Sequence, residues 1–232
     1  MKEKALRSIG AFANISEGSL ESLEAITKLR YIEKNGILHY EGEYIESAYF
    51  LARGKVEVYE MDKNDNELFL CYVDSHLSDG RLINAFGTFA PYEANASVRG
   101  VEPSEIVLLD LQQLHQLVTK NIEISNAILS EVMNRMITFK NFINFNEIYD
   151  STSRVAYILG TSLKYFNQVQ RQTIAHELNI KLETLSRILQ KMMTQGLIAK
   201  DEHGDVYIKD KQAFEALYGH ERFMEVFGEN YT

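Results

Sequence analysis

The chain has a single cysteine, Cys71, in 232 residues. A lone thiol makes no intrachain disulfide and cannot supply the four thiolates of a four-cysteine iron–sulfur cluster, so neither is expected. No hydrophobic run approaches the length of a membrane-spanning helix, and the amino end lacks the apolar core of a secretory signal. A cytoplasmic protein with no membrane partner is expected. Catalytic signatures are missing as well. There is no HExxH, no Walker A loop, no GxSxG elbow and no paired-cysteine metal motif, and the scattered Asp and Glu show no spacing that assigns acid and base roles. The composition therefore points away from an enzyme. Positive charge is scarce overall, the formal net charge being −9.

What is present is 45% hydrophobic residues, enough for one large or two ordinary cores, and two kinds of sequence that favour two domains. From about residue 31 to 110, short runs of Tyr, Phe, Val, Ile and Leu are punctuated by Asn35-Gly36, Glu41-Gly42-Glu43, Arg53-Gly54, Asp62 to Asn66 and Asp79-Gly80. Short strands with frequent turns predict an antiparallel β-barrel or roll. Residues 3–29 read as helical, with Leu20, Leu23, Ile26 and Leu29 at helical spacing.

The longest helical pattern runs from about Ile122 to Ile148. Ile128, Val132, Phe139 and Phe142 form one stripe, and Leu129, Met133, Met136 and Ile143 a second. A helix with two apolar stripes must bury two faces. One suits its own β-domain and the other the same helix of a second subunit, so a homodimer with a seam through Ile128, Val132, Met136, Phe139 and Phe142 is expected. Arg135 interrupts the first stripe, either as a salt-bridge residue at the seam or facing solvent.

The most informative stretch is Gln172 to Leu189. Ile174 and Leu178, then Leu185, Ile188 and Leu189, stand where two short crossed helices need apolar residues, and Ala175 is small where the helices approach. Ile180 packs under the turn. Asn179 falls at the turn position that wants a positive φ, which Asn tolerates better than any other residue but glycine. The second helix exposes Lys181, Glu183, Thr184, Ser186, Arg187, Gln190 and Lys191, groups able to bond base edges and phosphates. Gly196 ends it, and strands on either side of Asp201 to Gly204 form a wing. From Tyr149 to Lys200 there are seven basic and three acidic residues, a local excess of four positive charges in an acidic chain. Phosphate attraction is local, so a basic module suffices for DNA. The alternative is a winged helix that contacts protein. A closing helix, with apolar Phe214, Leu217, Phe223, Val226 and Phe227, is expected over 211–227.

The order of parts resembles the Crp/Fnr family of bacterial transcription regulators over nearly the whole chain. The fold so implied is α+β: a cyclic-nucleotide-binding-like β-roll (1–121), a dimerisation helix (122–148) and a winged helix-turn-helix (149–232). Leu182-Glu183-Thr184-Leu185-Ser186-Arg187 is similar to the Fnr-type recognition motif; Gly42-Glu43, Tyr49-Phe50-Leu51 before Arg53-Gly54, and Leu68 to Val73 are weaker matches. The resemblance implies that Glu183 accepts from a cytosine amino group, Arg187 donates to guanine and Ser186 helps distinguish the flanking thymine, in an inverted TTGA-type site at a promoter. Lys181, Thr184, Lys191 and Arg171 complete the expected DNA contacts, and RNA polymerase is the implied partner.

In the sensor half the sequence departs from the family. Cyclic-nucleotide binders carry a Gly-Glu cassette followed by an Arg-(Ser/Thr) pair, because the cyclic phosphate needs a fixed cation. Here Arg81 holds the glutamate position and no Arg precedes Ser97, so cAMP is not the expected effector. The effector pocket is placed at Arg81, Leu82, Phe86, Tyr49 and Arg99. Haem, with an axial ligand among His39, His76 and His115 and the nitric oxide sensing that the resemblance allows, a small organic or apolar ligand, redox chemistry at Cys71, or no ligand at all remain as alternatives, Cys71 itself reading as a core thiol.

Overall fold

Turn residues cut the first half of the chain into short strands, and a computed structural model shows how they pair. It describes residues 1–76, 80–84 and 89–218; the side chains at 141, 144, 147 and 148 lie outside that description. The chain forms two compact units, Met1–Phe139 and Lys140–Thr232.

The first unit opens with helix α1 (Lys2–Arg7), one 3-10 turn (Gly10–Phe12) and helix α2 (Glu17–Ile26). The helical reading of 3–29 is thus corrected at its end, and within it the helix is broken in two. Ser16 starts a new helix by accepting from the Ser19 N–H, and Leu29 belongs to strand β1 (Thr27–Ile32). The strands that follow are β2 (Ile37–His39), β3 (Tyr44–Ile45), β4 (Ser47–Arg53), β5 (Lys55–Met61), β6 (Glu67–Asp74), β7 (Tyr92–Glu93), β8 (Ser97–Gly100) and β9 (Ser104–Asp110). All pairings are antiparallel, in the orders β1-β9-β4, β2-β8-β5-β6 and β3-β7.

Local chemistry sets the hairpins. Gly54 joins β4 to β5 at φ +97°, and a Cβ there would stand 2.6 Å from the Pro103 carbonyl oxygen, so only glycine fits. The β5–β6 turn is held by Asp62, whose Oδ1 accepts from the N–H groups of Asn64 and Asn66 at 2.7 and 2.9 Å. Along β4, Ala48, Phe50 and Ala52 face the core under α1 and α2, and the alternate Tyr49 and Leu51 are buried on the opposite face. Phe12 meets Phe50 edge to face at 5.3 Å.

After β9 come helix α3 (Leu111–Val118), capped by Asp110, and helix α4 (Ile122–Ile148), whose last turns belong to the second unit. The inward face of α4 carries Ile124, Ala127, Ile128 and, partly buried, Val132 against the β-roll core. Leu129, Met133, Met136 and Ile143 are 56%, 50%, 63% and 56% exposed. The residues expected together at one seam therefore divide between two faces. Ile128 and Val132 face their own domain, Phe139 and Phe142 are half-buried, and Met136 stands on the free stripe. The reason is the helical period: Ile128 shares a face with Ile124, one turn earlier, not with Met136.

The second unit contains α5 (Ser151–Thr161), α6 (Leu163–Gln168), α7 (Arg171–Glu177), α8 (Leu182–Thr194), β10 (Ile198–Lys200), β11 (Val206–Ile208) and α9 (Lys211–Tyr218). Val155, Leu159, Phe166, Ile174, Leu185 and Ile188 form its core. In α9, Phe214 is buried while Leu217 is 61% exposed, so the expected apolar face is corrected there. Phe223, Val226 and Phe227 lie outside the described residues. The fold is the α+β combination of β-roll, long helix and winged helix-turn-helix.

Candidate nucleic-acid interface and effector cavity

The turn between α7 and α8 is built by two reverse hydrogen bonds. The Asn179 N–H donates to the His176 carbonyl at 2.9 Å and the Ile180 N–H to the Ala175 carbonyl at 3.0 Å, with Asn179 at φ 49°. This Schellman arrangement satisfies carbonyls that the helix end leaves open, and Ile180 then packs into the core as the sequence requires. The same device ends α8, where Gly196 at φ +73° lets the Leu197 N–H reach the Met192 carbonyl at 3.0 Å.

Helix α8 buries Leu185, Ile188, Leu189 and Met192 and turns the remaining positions outward. Lys181, Glu183, Ser186, Arg187, Gln190 and Lys191 are exposed and Thr184 is half-buried. Among the described residues, no side-chain hydrogen bond or ion pair within the chain engages Glu183, Ser186 or Arg187. Glu183 and Arg187 lie one turn apart without pairing. Arg171 is different. Its guanidinium donates to the Phe166 carbonyl and lies 3.8 Å over the Phe166 ring, so it joins α6 to α7 and does not face outward with α8.

The wing is anchored by Asn167. Its Nδ2 donates to the Val206 carbonyl at 2.9 Å and its Oδ1 accepts from the Val206 N–H at 3.0 Å, which completes the edge of β11. The wing turn carries exposed Asp201, Glu202 and Asp205, charge that repels a phosphate backbone. The attractive charge of this unit thus lies on α8 and not on the wing.

In the first unit the residues expected to form an effector pocket are engaged elsewhere. Arg81 donates to the carbonyl oxygens of Asp74 and Ser75. Arg99 pairs with Glu57 at 3.0 Å and Glu67 at 2.8 Å and lies over Tyr59; burial pulls its pKa down, but the two carboxylates hold it above the ordinary value. Leu82 is buried beside Phe50, and Tyr49 is buried with its ring 5.6 Å from His39. Phe86 lies outside the described residues.

A cavity does open in the roll, of about 330 Å³ counted out to the solvent at its mouth, and none of Arg81, Leu82, Tyr49 or Arg99 lines it. Its walls include His39, Glu60, Asn84, Tyr92, Arg135 and Phe139. Burial pushes the Tyr92 hydroxyl up to about 12, so it is a donor at neutral pH. Arg135 is neither at a seam nor in solvent: it is 6% exposed, and its Nη1 donates to the Cys71 sulfur at 3.0 Å. One turn earlier, buried Glu131 accepts from the N–H groups of Arg81 and Leu82 at 2.5 and 2.9 Å, and burial raises its pKa. Sequence reasoning missed Glu131 and left Arg135 open. The signal was two charges one turn apart on the face of α4 that buries Ile124 and Ile128.

The three histidines weighed as haem ligands stand in different surroundings. Only His39 lines the cavity, His76 is exposed beside Glu102, and His115 stacks on Phe89 at 5.1 Å. Among the described residues no group of three His, Cys, Asp or Glu gathers to hold a metal ion.

A β-roll joined by a long helix to a winged helix with an outward polar recognition face defines a DNA-binding transcription regulator. The family model described as a cyclic nucleotide-binding domain matches residues 29–121, and that described as a Crp-like helix-turn-helix domain matches 154–217. The cAMP-activated global transcriptional regulator CRP of Salmonella typhimurium is 26% identical over 190 residues, covering 77% of this chain and 87% of that protein. Among solved structures, the c-di-GMP responsive global regulator CLP of Xanthomonas campestris superposes with a TM-score of 0.65 at 20% identity, covering 84% of this chain and 100% of that one. A transcriptional regulator of the crp/fnr family from Eubacterium rectale gives 0.64 at 16% identity, covering 91% and 98%. The chain belongs to the Crp/Fnr family.

Proposed function

We propose that the protein is a cytoplasmic homodimer that reads an inverted TTGA-type promoter site with α8 and acts on RNA polymerase, under an effector other than cAMP. The observation that carries this reading is the outward, internally unpaired set Glu183, Ser186 and Arg187 on α8. A guanidinium matches guanine O6 and N7, and a carboxylate matches cytosine N4. Thr184 and Ser186 supply hydroxyls beside them, and Lys181 and Lys191 reach phosphates. Arg171, held on Phe166, positions the helix pair.

The free stripe of α4 supports the dimer. Ile122, Leu129, Met136 and Ile143 recur every seven residues, and Asn126, Met133 and Lys140 fall at the intervening positions of a heptad. Apolar d positions with Asn126 and Lys140 as polar residues at two of the three a positions are the pattern of a coiled coil whose register is specified. Against cAMP stands the engagement, among the described residues, of the two arginines nearest that role. Arg81 and Arg99 are bound within the roll, and the Ser97 hydroxyl accepts from the Glu41 N–H at 2.9 Å.

The test is a binding titration on an inverted TTGA duplex and a scrambled duplex, with wild type beside Arg187→Ala. Each lost guanine contact costs about 1–3 kcal/mol, so two half-sites lose at least about 30-fold in affinity for the specific duplex. Equal binding of both proteins to both duplexes overturns the reading.

A further inference from the structure

Arg135 carries a buried charge for which the described chain provides no counter-ion. Its Nη1 donates to the Cys71 sulfur and its plane lies 4.7 Å over the Phe139 ring, but Nε and Nη2 are buried without any partner. The other arginines of this unit that are removed from solvent reach oxygen acceptors: Arg99 two carboxylates, Arg81 two carbonyls. A guanidinium cannot escape the cost of burial by losing its proton. The unpartnered pair is also geometrically specific. Nε–H and Nη2–H lie on one edge of the planar group and point in parallel, which is the edge that takes both oxygens of a carboxylate.

That edge belongs to a residue lining the cavity, and the opposing wall is incomplete in the same sense. His39 is 4% exposed, and neither ring nitrogen has a hydrogen-bond partner; the neighbouring Tyr40 backbone does not reach hydrogen-bond geometry. Burial lowers its pKa, so the ring stands neutral with one donor and one acceptor. The remaining walls divide into apolar side chains, Val58, Leu70, Ile83 and Val98, and Glu60, a carboxylate that forms no ion pair with Arg135. Glu60 repels a second negative charge. The apolar walls ask for a hydrocarbon body, and the small volume limits its size.

We infer that this cavity binds a small organic monocarboxylate, its carboxylate bridged to Arg135 Nε and Nη2 with His39 alongside and its apolar body against Val58, Leu70 and Val98. This rests on the reading of the chain as an effector-controlled regulator and names the chemical class of the effector. Arg135 is borne by α4, between Met133 and Met136 of the exposed stripe. Neutralising its charge therefore holds that stretch of the helix to the roll, and the bound and free forms present the stripe differently. A ligand with different affinity for the two forms shifts their populations and through them DNA binding.

The full chain is tested without DNA by thermal unfolding and calorimetric titration with sodium butyrate and sodium benzoate, with butyramide, benzamide and inorganic phosphate as controls. A carboxylate at about 100 times its Kd raises Tm by about 5–10 °C, and the amides do not. Arg135→Met abolishes the response and leaves the ligand-free protein at least as stable as wild type, because a buried unpaired cation is gone. Arg135→Lys, which keeps the charge and loses the fork, weakens binding at least tenfold without abolishing it. Cys71→Ala retains the response. No shift with either carboxylate, an equal shift with the amides, or an unchanged shift in Arg135→Met overturns the inference, and a response to phosphate alone overturns the carboxylate class. The duplex titration is repeated separately. A carboxylate response without specific DNA binding sinks the regulator reading, and specific DNA binding without a carboxylate response sinks only the effector assignment.

Discussion

Met136→Glu should dissociate the protein into folded monomers. Met136 is 63% exposed on α4, and Leu129, Met133 and Ile143 along the same stripe are 50% exposed or more. Full burial of such a side chain is worth about 1.5–3 kcal/mol, so the half that is still exposed can contribute about 1–1.5 kcal/mol in a helix–helix seam. Placing Met136 opposite its symmetry mate counts that loss twice, about 2–3 kcal/mol. Two glutamates facing each other at a d position add several kcal/mol of like-charge repulsion and desolvation. The sum, at least about 5 kcal/mol, weakens association by more than about 1000-fold. Sedimentation velocity at micromolar concentration reads it directly, with circular dichroism to show that the variant is folded; in the monomer Met136 faces water, so the fold should not suffer. Asn126→Ile should move the equilibrium the other way, since a polar residue at an a position costs stability in return for register. A Met136→Glu protein that sediments as a dimer of wild-type affinity would refute the assignment of this face.

Three further outcomes follow from the geometry. Glu131→Ala leaves the Arg81 and Leu82 N–H groups buried without an acceptor, which at about 1–3 kcal/mol each lowers the stability of the first unit by about 2–6 kcal/mol, while Glu131→Gln keeps an oxygen there and loses much less; urea unfolding distinguishes the two. Asn179→Val forces a β-branched residue to φ 49° and should cost the second unit about 1–2 kcal/mol, whereas Asn179→Gly should be tolerated; unchanged melting of the Val variant would argue against the turn geometry. Glu123 accepts from the hydroxyls of Ser16 and Ser19, which hold its carboxyl below the ordinary range. A lowered carboxylate pKa means that its contribution is complete at neutral pH and is lost as pH falls through the lowered value, so Glu123→Gln should narrow the difference in unfolding midpoint between about pH 6 and pH 3.

The helix-turn-helix and its wing were legible in the sequence because every signal for them is local. Ile174, Leu178, Leu185 and Ile188 repeat with the helical period, Asn179 and Gly196 mark the positions that need positive φ, and the residues left over at 183, 186 and 187 must then face out. The roll and the long helix were legible for the same reason. The amino-terminal reading failed where locality failed: Leu29 keeps helical spacing with Leu23 and Ile26, but pairing of β1 with β9, far along the chain, decides its conformation. The Glu131 carboxylate on the 81–82 backbone and the Arg135 contact with Cys71 join residues 49 to 64 positions apart. No period or motif records which distant partner a buried charge will meet. Sequence therefore determined the elements and the outward face of α8, whereas the cavity, its unpartnered guanidinium and the division of the α4 faces were decided by tertiary packing, because only packing removes a charge from water and fixes what stands opposite it.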